Sequence, residues 1–465
     1  MAKSIVRDKH EVDMVGGNLF KNLIVVAVPL VLSGILQLFY TSADLIVCNI
    51  FGSPNSTAAI SSTNALVNLI VNTFMGLSAG TNILMARYYG ANIQKYAQRN
   101  VYTSMILAAI IGVFVGVFGC TLSKYFLEWM NSPEDVIELS TQYLAIYFLG
   151  VPFTMIYNFG SAILRATGDT RRPFVVLLLA GIINIAFNLL FVIVFKMDVA
   201  GVALGTVASQ FISAVAIVIL LTKKDGFFHF KFSELKFYKY EAIEILKIGV
   251  PAGIQNSIFS ISNVVLQSSI NSLGSAVMGA AGACSSLEGF IFTAMNGINE
   301  SSVSFVSANY GAKNKKNIKK VLFYSMGLVF ILSFLVGVPL LLLKEPLFKL
   351  YVNELFKTGQ MGAIQDGYNK FTMIVLTYFI CGWMGSFAQS LRGIKHPTLP
   401  TIVTLVGTCG SRLLWKYFVF PLPQFHSLMG LMISYPVSWL VTLLTHIVFY
   451  IILYKKIEFE DIEDK

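Results

Sequence analysis

Four of the ionisable side chains inside long apolar runs of this chain stand out, at positions where charge is costly. Asp44 lies in Leu23–Ile50, Glu288 and Glu300 in 278–306, and Arg412 in 399–420. An ionised group at membrane depth turns toward a partner or a water-filled cavity, so each is a candidate functional position. Asp44 sits about 32 Å along its helix from Leu23 at 1.5 Å per residue, in the outer half of a bilayer. A lone carboxylate there can take up a metal cation or a proton. Glu288 and Glu300 are twelve residues apart, about 18 Å along a helix and about 120° around it, so they are no general acid/base dyad. Glu288 near mid-span would add negative potential to a cavity; Glu300 lies closer to the cytoplasmic end, within reach of water or lysine. Arg412 is expected to pair with Glu288, as a structural bridge or as part of a substrate site. Lys416, the other basic residue of that span, can snorkel outward.

The elements that carry these residues are membrane helices. Of 465 residues, 55% are hydrophobic and 12% charged, with a mean hydropathy of +0.70; soluble domains carry about 25% charged residues. Apolar runs of about 20 residues recur twelve times, near 20–48, 57–83, 101–122, 139–164, 173–195, 200–222, 247–270, 278–306, 320–343, 369–391, 399–420 and 430–454. The expected fold is an all-α integral membrane protein of twelve transmembrane helices. The net charge of +10 is a topology signal: with a cytoplasmic N-terminus, 26 of the 34 Lys and Arg face the cytoplasm, including Lys223–Lys247 and Lys313–Lys320. That asymmetry places both termini in the cytoplasm and removes the case for nucleic acid. The first span follows a charged segment with no small-residue cleavage site, which reads as a retained helix. Five scattered cysteines suggest neither a disulfide framework nor a metal site. With no GxxxxGK[ST] motif, a nucleotide-driven pump is not expected. His446 is solitary and no nucleophile has a partner, so neither is an enzyme.

The chain reads as a duplication. Val28-Pro29 recurs as Val250-Pro251, Tyr89-Gly90-Ala91 as Tyr310-Gly311-Ala312, and Leu164-Arg165 before Pro173 as Leu391-Arg392 before Pro400. Three landmarks in order give two six-helix lobes, 1–222 and 247–465, joined by a basic cytoplasmic linker, 223–246. Six spans per half make the repeat parallel, with a substrate site expected between the lobes. The long outer loop 344–368 is the main departure from symmetry, and the acidic tail Glu458–Asp464 reads as a solvated end.

The Pro29…Asp44 pattern, Leu164-Arg-Ala-Thr-Gly-Asp-Thr-Arg-Arg-Pro173, Ala308-Asn-Tyr-Gly-Ala312 and Tyr435-Pro-Val-Ser-Trp439 together resemble the multidrug and toxic compound extrusion (MATE) family, prokaryotic type. The resemblance runs from about Phe20 to Lys456. It implies cation-coupled antiport of organic, cationic or amphipathic compounds by alternating access, driven by Na⁺ or H⁺. It also implies a coupling site in the first lobe: Asp44, Asn184, Asn188 and Thr206. Position 188 is an acid in many relatives and an amide here; the helix-7 acid of another branch is replaced by Gln255-Asn256.

Asn184 and Asn188 share a helix face, and a carboxylate, two amides and a hydroxyl offer hard oxygen donors suited to Na⁺. Na⁺ binding, proton binding and competition between them all remain open; alternatively Asp44 simply holds helix 1 against helices 5 and 6. Polar candidates for the substrate cavity are Gln37, Tyr40, Asn68, Asn72, Tyr157, Asn158, Glu288 and Arg412. The loop residues Arg165, Gly168, Asp169 and Pro173 suit a capped turn or a cytoplasmic gate. The expected partners are small-molecule drugs or toxic metabolites and the lipid bilayer of the plasma (inner) membrane, with the protein a monomer. No cofactor or metal beyond Na⁺ or H⁺ is expected. The competing function is a lipid-linked saccharide flippase, which one deep arginine serves poorly.

Overall fold

The computed structural model describes residues 8, 10–53, 55–130, 136–224 and 226–459. It is 86% helical, with no strand among the described residues. The helices are α1 Leu19–Phe51, α2 Ser56–Gly90, α3 Gln94–Trp129, α4 Ile137–Arg165, α5 Arg171–Leu189, α6 Asp198–Thr222, α7 Lys239–Asn271, α8 Ser275–Gly311 and α9 Lys315–Leu342. A short α10 (Lys344–Lys357) precedes α11 (Met361–Gly393). The next, α12, begins at Thr398 and runs to Val419 as α-helical pieces alternating with π-helical segments Leu405–Gly410 and Trp415–Val419. The last, α13, spans Leu428–Lys455. A further π segment, Leu190–Val194, prolongs α5.

Ten of these helices are long and apolar enough to cross a membrane. The two other members of the twelve-helix layout, α7 and α12, differ for visible reasons. α7 carries Gln255, Asn256, Ser257, Ser260, Ser262 and Asn263 through its middle, and α12 is broken into short pieces. The segment 344–368 is not the loop expected from hydropathy. It holds α10, whose exposed charges pair along the helix (Lys349–Glu345, 2.8 Å; Lys357–Glu354, 2.7 Å), and the first two turns of α11.

The chain divides into two compact units, one of 1–17 and 32–253, the other of 18–31 and 254–465. Helices α1 and α7 are each shared, changing unit two residues after Pro29 and Pro251. Proline inside a helix removes one backbone hydrogen bond and bends the helix there. Glycines explain the assignment. In the first unit, Gly76 and Gly80 of α2 bring their backbones against Gly253 and Ile245 of α7, where an added Cβ would lie 2.3 and 2.2 Å from backbone atoms. In the second unit, Gly297 of α8 meets Val31 of α1, with a Cβ at 2.7 Å. Small residues permit such close backbone approach between membrane helices.

At the end of the first unit that carries the N-terminus, the segment from Asp8 to Gly17 is clasped to the α4–α5 loop. Gly168 (φ +84°) faces the Val12 backbone, where a Cβ would sit 2.6 Å from the carbonyl oxygen; both conditions favour glycine. Arg172 pairs with Asp8 and Asp169, and Asp169 Oδ1 accepts the Arg172 N–H at 3.3 Å as a turn cap. Lys224 pairs with Glu11 at 2.8 Å, both side chains fully buried, and donates to Thr167 at 3.1 Å. The Tyr89 hydroxyl donates to Glu11 at 3.1 Å. In the second unit the matching tyrosine, Tyr310, donates to the Glu458 carbonyl at 3.1 Å. Each repeated Tyr-Gly-Ala therefore holds one of the segments that flank the helices, at Glu11 and at Glu458. Of the acidic tail, 460–464 lie outside the described residues.

Candidate functional site

Each unit contains a polar cluster built around a charge deep among its helices. In the first, Asp44 stands in the last third of α1, half-buried, facing α5 and α6. Asn188 Nδ2 donates to Asp44 Oδ1 at 2.6 Å and lies 3.4 Å from Asn184 Oδ1. Asn184 Nδ2 in turn donates to Thr206 Oγ1 at 3.2 Å. All four residues singled out for the first lobe thus form one connected network. Asn188 Oδ1 is buried with no hydrogen-bond partner among the described residues. It rests on Gly205, whose added Cβ would lie 2.2 Å away. A buried acceptor without a donor is costly; placed beside a carboxylate, it fits a bound cation.

Sequence reasoning missed three neighbours of this network. Tyr143 and Tyr147 of α4, stacked with centroids 6.3 Å apart, lie within electrostatic reach of Asp44. Gln210, one turn beyond Thr206, packs on α4 at Gly150, where an added Cβ would lie 2.2 Å from its Oε1. The signal was there: the tyrosines are four apart on one helix face, as are Thr206 and Gln210.

The second cluster differs from expectation. Glu288 pairs with Lys370 of α11, at 3.8 Å, rather than with Arg412. Lys370 is almost fully buried and also donates to Ser285 Oγ (2.9 Å) and the Ala281 carbonyl (3.2 Å). Lys370 stands at the very start of the 369–391 apolar run, where a lysine reads as a boundary charge; α11 starts earlier, at Met361, and carries it inward. Arg412 and Lys416 are therefore not the only deep bases. Arg412, wholly buried, donates to Ser438 Oγ at 3.1 Å and Asn263 Oδ1 at 3.3 Å. Its guanidinium lies 3.9 Å from the Tyr435 ring centroid, 5.3 Å from Phe259 and 5.9 Å from Trp439. Lys416 turns toward α7, donating to Ser268 Oγ (2.8 Å) and the Val265 carbonyl (3.0 Å).

The remaining candidates scatter. Tyr40 bridges α1 to α5: its hydroxyl donates to the Leu177 carbonyl at 3.0 Å and its ring covers Gly181. Tyr157 donates to the Pro173 carbonyl at 3.1 Å. Both hold helices together. Gln37 and Asn68 are exposed, Asn72 and Asn158 half-buried. Arg165, Gly168, Asp169 and Pro173 belong to the clasped loop. Glu300 is half-buried in α8. Gln255, in place of an acid, accepts from Arg392 Nη2 at 2.5 Å.

Among known proteins, the chain is 25% identical over 448 residues to the probable multidrug resistance protein YoeA of Bacillus subtilis (strain 168), covering 94% of this chain and 95% of that one. It is 24% identical over 416 residues to the probable multidrug resistance protein NorM of Thermotoga maritima, covering 86% of each. A solved structure described as the outward-facing conformation of a multidrug resistance MATE family transporter of the MOP superfamily superposes with a TM-score of 0.88 at 20% identity. That match covers 95% of this chain and 97% of the other, and at such identity it speaks to the fold. The family model MatE matches residues 29–190 and 251–418, one stretch in each half of the duplication. The chain is a multi-pass membrane protein and belongs to the MATE family.

Proposed function

We propose that the protein is a cation-coupled exporter of amphipathic organic compounds, acting as a monomer in the cell membrane with both termini in the cytoplasm. Its multidrug resistance relatives support small-molecule efflux, and the excess of Lys and Arg on the terminal side supports the orientation. The flippase alternative is not favoured by these relatives.

One observation carries the coupling assignment: Asp44 is bonded to an amide whose own oxygen is buried and unsatisfied. Asp44, Asn188 and Thr206 supply oxygen ligands of the kind Na⁺ accepts, and Asp44 alone can accept a proton. A cation bound there would neutralise the one formal charge among the four residues and alter how α1 packs on α5 and α6. Coupling then requires that cation and cargo each prefer a different conformation.

The test is efflux from everted vesicles under imposed Na⁺ or H⁺ gradients, comparing the wild type with Asp44→Asn. The variant should lose gradient-driven export about tenfold or more, in the usual range of coupling free energies, at normal expression. Undiminished export would overturn the assignment. The gradient that the wild type uses identifies the ion.

A further inference from the structure

Counted from the repeat landmarks, Arg412 falls in the turn of the second unit's fifth helix that matches the Asn184 turn of the first, one residue past the strict counterpart Ser411. Asn184 and Asn188 lie eleven and fifteen residues after Pro173, and Arg412 lies twelve after Pro400. Asp44 lies fifteen residues after Pro29; fifteen after Pro251 stands Leu266, packed with Phe420, Leu428 and Leu431. The α6 hydroxyl of Thr206 is answered by Ser438 on α13. The second cluster is thus the first with its charge reversed. The acid is gone from the first helix of the repeat and a cation has arrived on the fifth.

Among the described residues, that cation has no counter-ion. Glu288 is taken up by Lys370, and among the described residues no carboxylate lies within ion-pair distance of Arg412. Its Nη2 is buried without a hydrogen-bond partner among the described residues. Its Nη1 has only the long 3.3 Å bond to Asn263, a residue that is itself exposed and so leaves a short way in. Lys416 reaches the same helix, α7, about one turn further along, adding positive potential along that path. Arginine pairs best with a planar oxyanion through two parallel N–H donors, and Nη1 and Nη2 offer that fork once the Asn263 amide is displaced.

We propose that this cluster is a binding site for the carboxylate of an aromatic amphiphile. The two carboxylate oxygens engage Arg412 Nη1 and Nη2, and the ring is held by the lining of Phe259, Tyr435 and Trp439. The cargo range then includes aromatic acids. This rests on reading the chain as an exporter of amphipathic compounds, but binding is measured without any gradient. A failure of Asp44-based coupling therefore leaves this site standing, and a failure here leaves that coupling standing.

The experiment is equilibrium binding to the purified full-length protein, by calorimetry and tryptophan quenching, in chloride-free buffer. The probes are 1-naphthoate and the matched cation 1-naphthylmethylammonium. The wild type should bind the acid about tenfold more tightly than the ammonium, as expected for a charge-assisted pair. Arg412→Gln should lose that preference. Asn263→Asp, at an exposed position and so independent of how Arg412→Gln folds, installs an internal counter-ion and should weaken naphthoate about tenfold. Equal affinity for the two probes, or naphthoate binding undiminished in Asn263→Asp, would overturn the proposal. So would complete displacement by chloride, which would mark the site as one for small inorganic anions.

Discussion

The two halves of this duplicated chain solve the same packing problem with opposite charges. Where α1, α5 and α6 meet, a single acid is held by amides and a hydroxyl; where α7, α12 and α13 meet, a single guanidinium is held by an amide, a hydroxyl and three aromatic rings. Polar groups at helix junctions thus keep their location through the repeat while their sign is free. What constrains the sign is the lining. Asp44 faces groups that accept or donate hydrogen bonds, whereas Leu266 is sealed in hydrocarbon.

That contrast is sharpest in the swap Leu266→Asp. A carboxylate in the apolar cluster of Phe420, Leu428 and Leu431 should cost about 4 kcal/mol or more and strip the protein of its cooperative thermal unfolding in detergent. A variant that melts like the wild type would show that the two positions are interchangeable and break the comparison. Next in size is the Lys370–Glu288 pair, which has no counterpart in the first cluster. Lys370→Met should destabilise by about 3 kcal/mol by leaving the half-buried Glu288 carboxylate alone, and adding Glu288→Gln should recover most of it. A double-variant cycle in thermal unfolding measures the recovery, and purely additive losses would remove the pair from the account.

In the first cluster the corresponding weak point is steric. Gly205→Ala places a methyl 2.2 Å from Asn188 Oδ1, which must push the amide off Asp44. We expect a loss of about 2 kcal/mol, in the range for overpacking, together with a several-fold fall in gradient-driven efflux. Unchanged efflux would mean that Asn188 does not support Asp44.

The smallest effect concerns the two termini. Burial raises the Asp8 carboxyl, but hydrogen bonds and attraction from Arg172 and the His10 N–H outweigh it and leave it below its usual 3.8. A depressed carboxylate stabilises its clasp above the unfolded value, and that contribution is lost as pH falls through the folded value. The N-terminal segment should therefore stay protected from proteolysis at neutral pH and loosen only in acid below about 3.8. The C-terminal clasp, Tyr310 on the Glu458 carbonyl, has no titrating partner in that bond and should not follow. Equal acid release of both ends would show that the clasps do not differ in kind.

Much of this was legible in the residues. Twelve spans, the repeat and the costly acids follow from hydropathy and landmark spacing, because membrane crossing imposes length and apolarity on every helix. Asn184, Asn188 and Thr206 could be attached to Asp44 only through family resemblance; nothing local tells one buried asparagine from another that merely glues helices. Glu288 was given to Arg412 because both lie deep and their charges are opposite. The partner it takes, Lys370, stands at the edge of its apolar run and reads there as a boundary charge; α11 begins eight residues earlier and carries it into the bundle. Pairings between helices far apart in sequence depend on which faces meet, and helix rotation is not written in composition. The broken course of α12 was equally invisible, since its residues are as apolar as those of an unbroken helix.

That broken course bears on how the clusters could be reset. A π turn stores one residue more than an α turn needs, and releasing it advances everything beyond by about 100° around the helix axis. Arg412 has such a segment on either side of it, and Asn188 stands just before another. The two side chains that define the clusters are thus mounted on helices with slack wound into them, like a dial with play beside its pointer. Deleting one residue from Leu190–Val194 would take that slack out of α5 without removing a polar side chain.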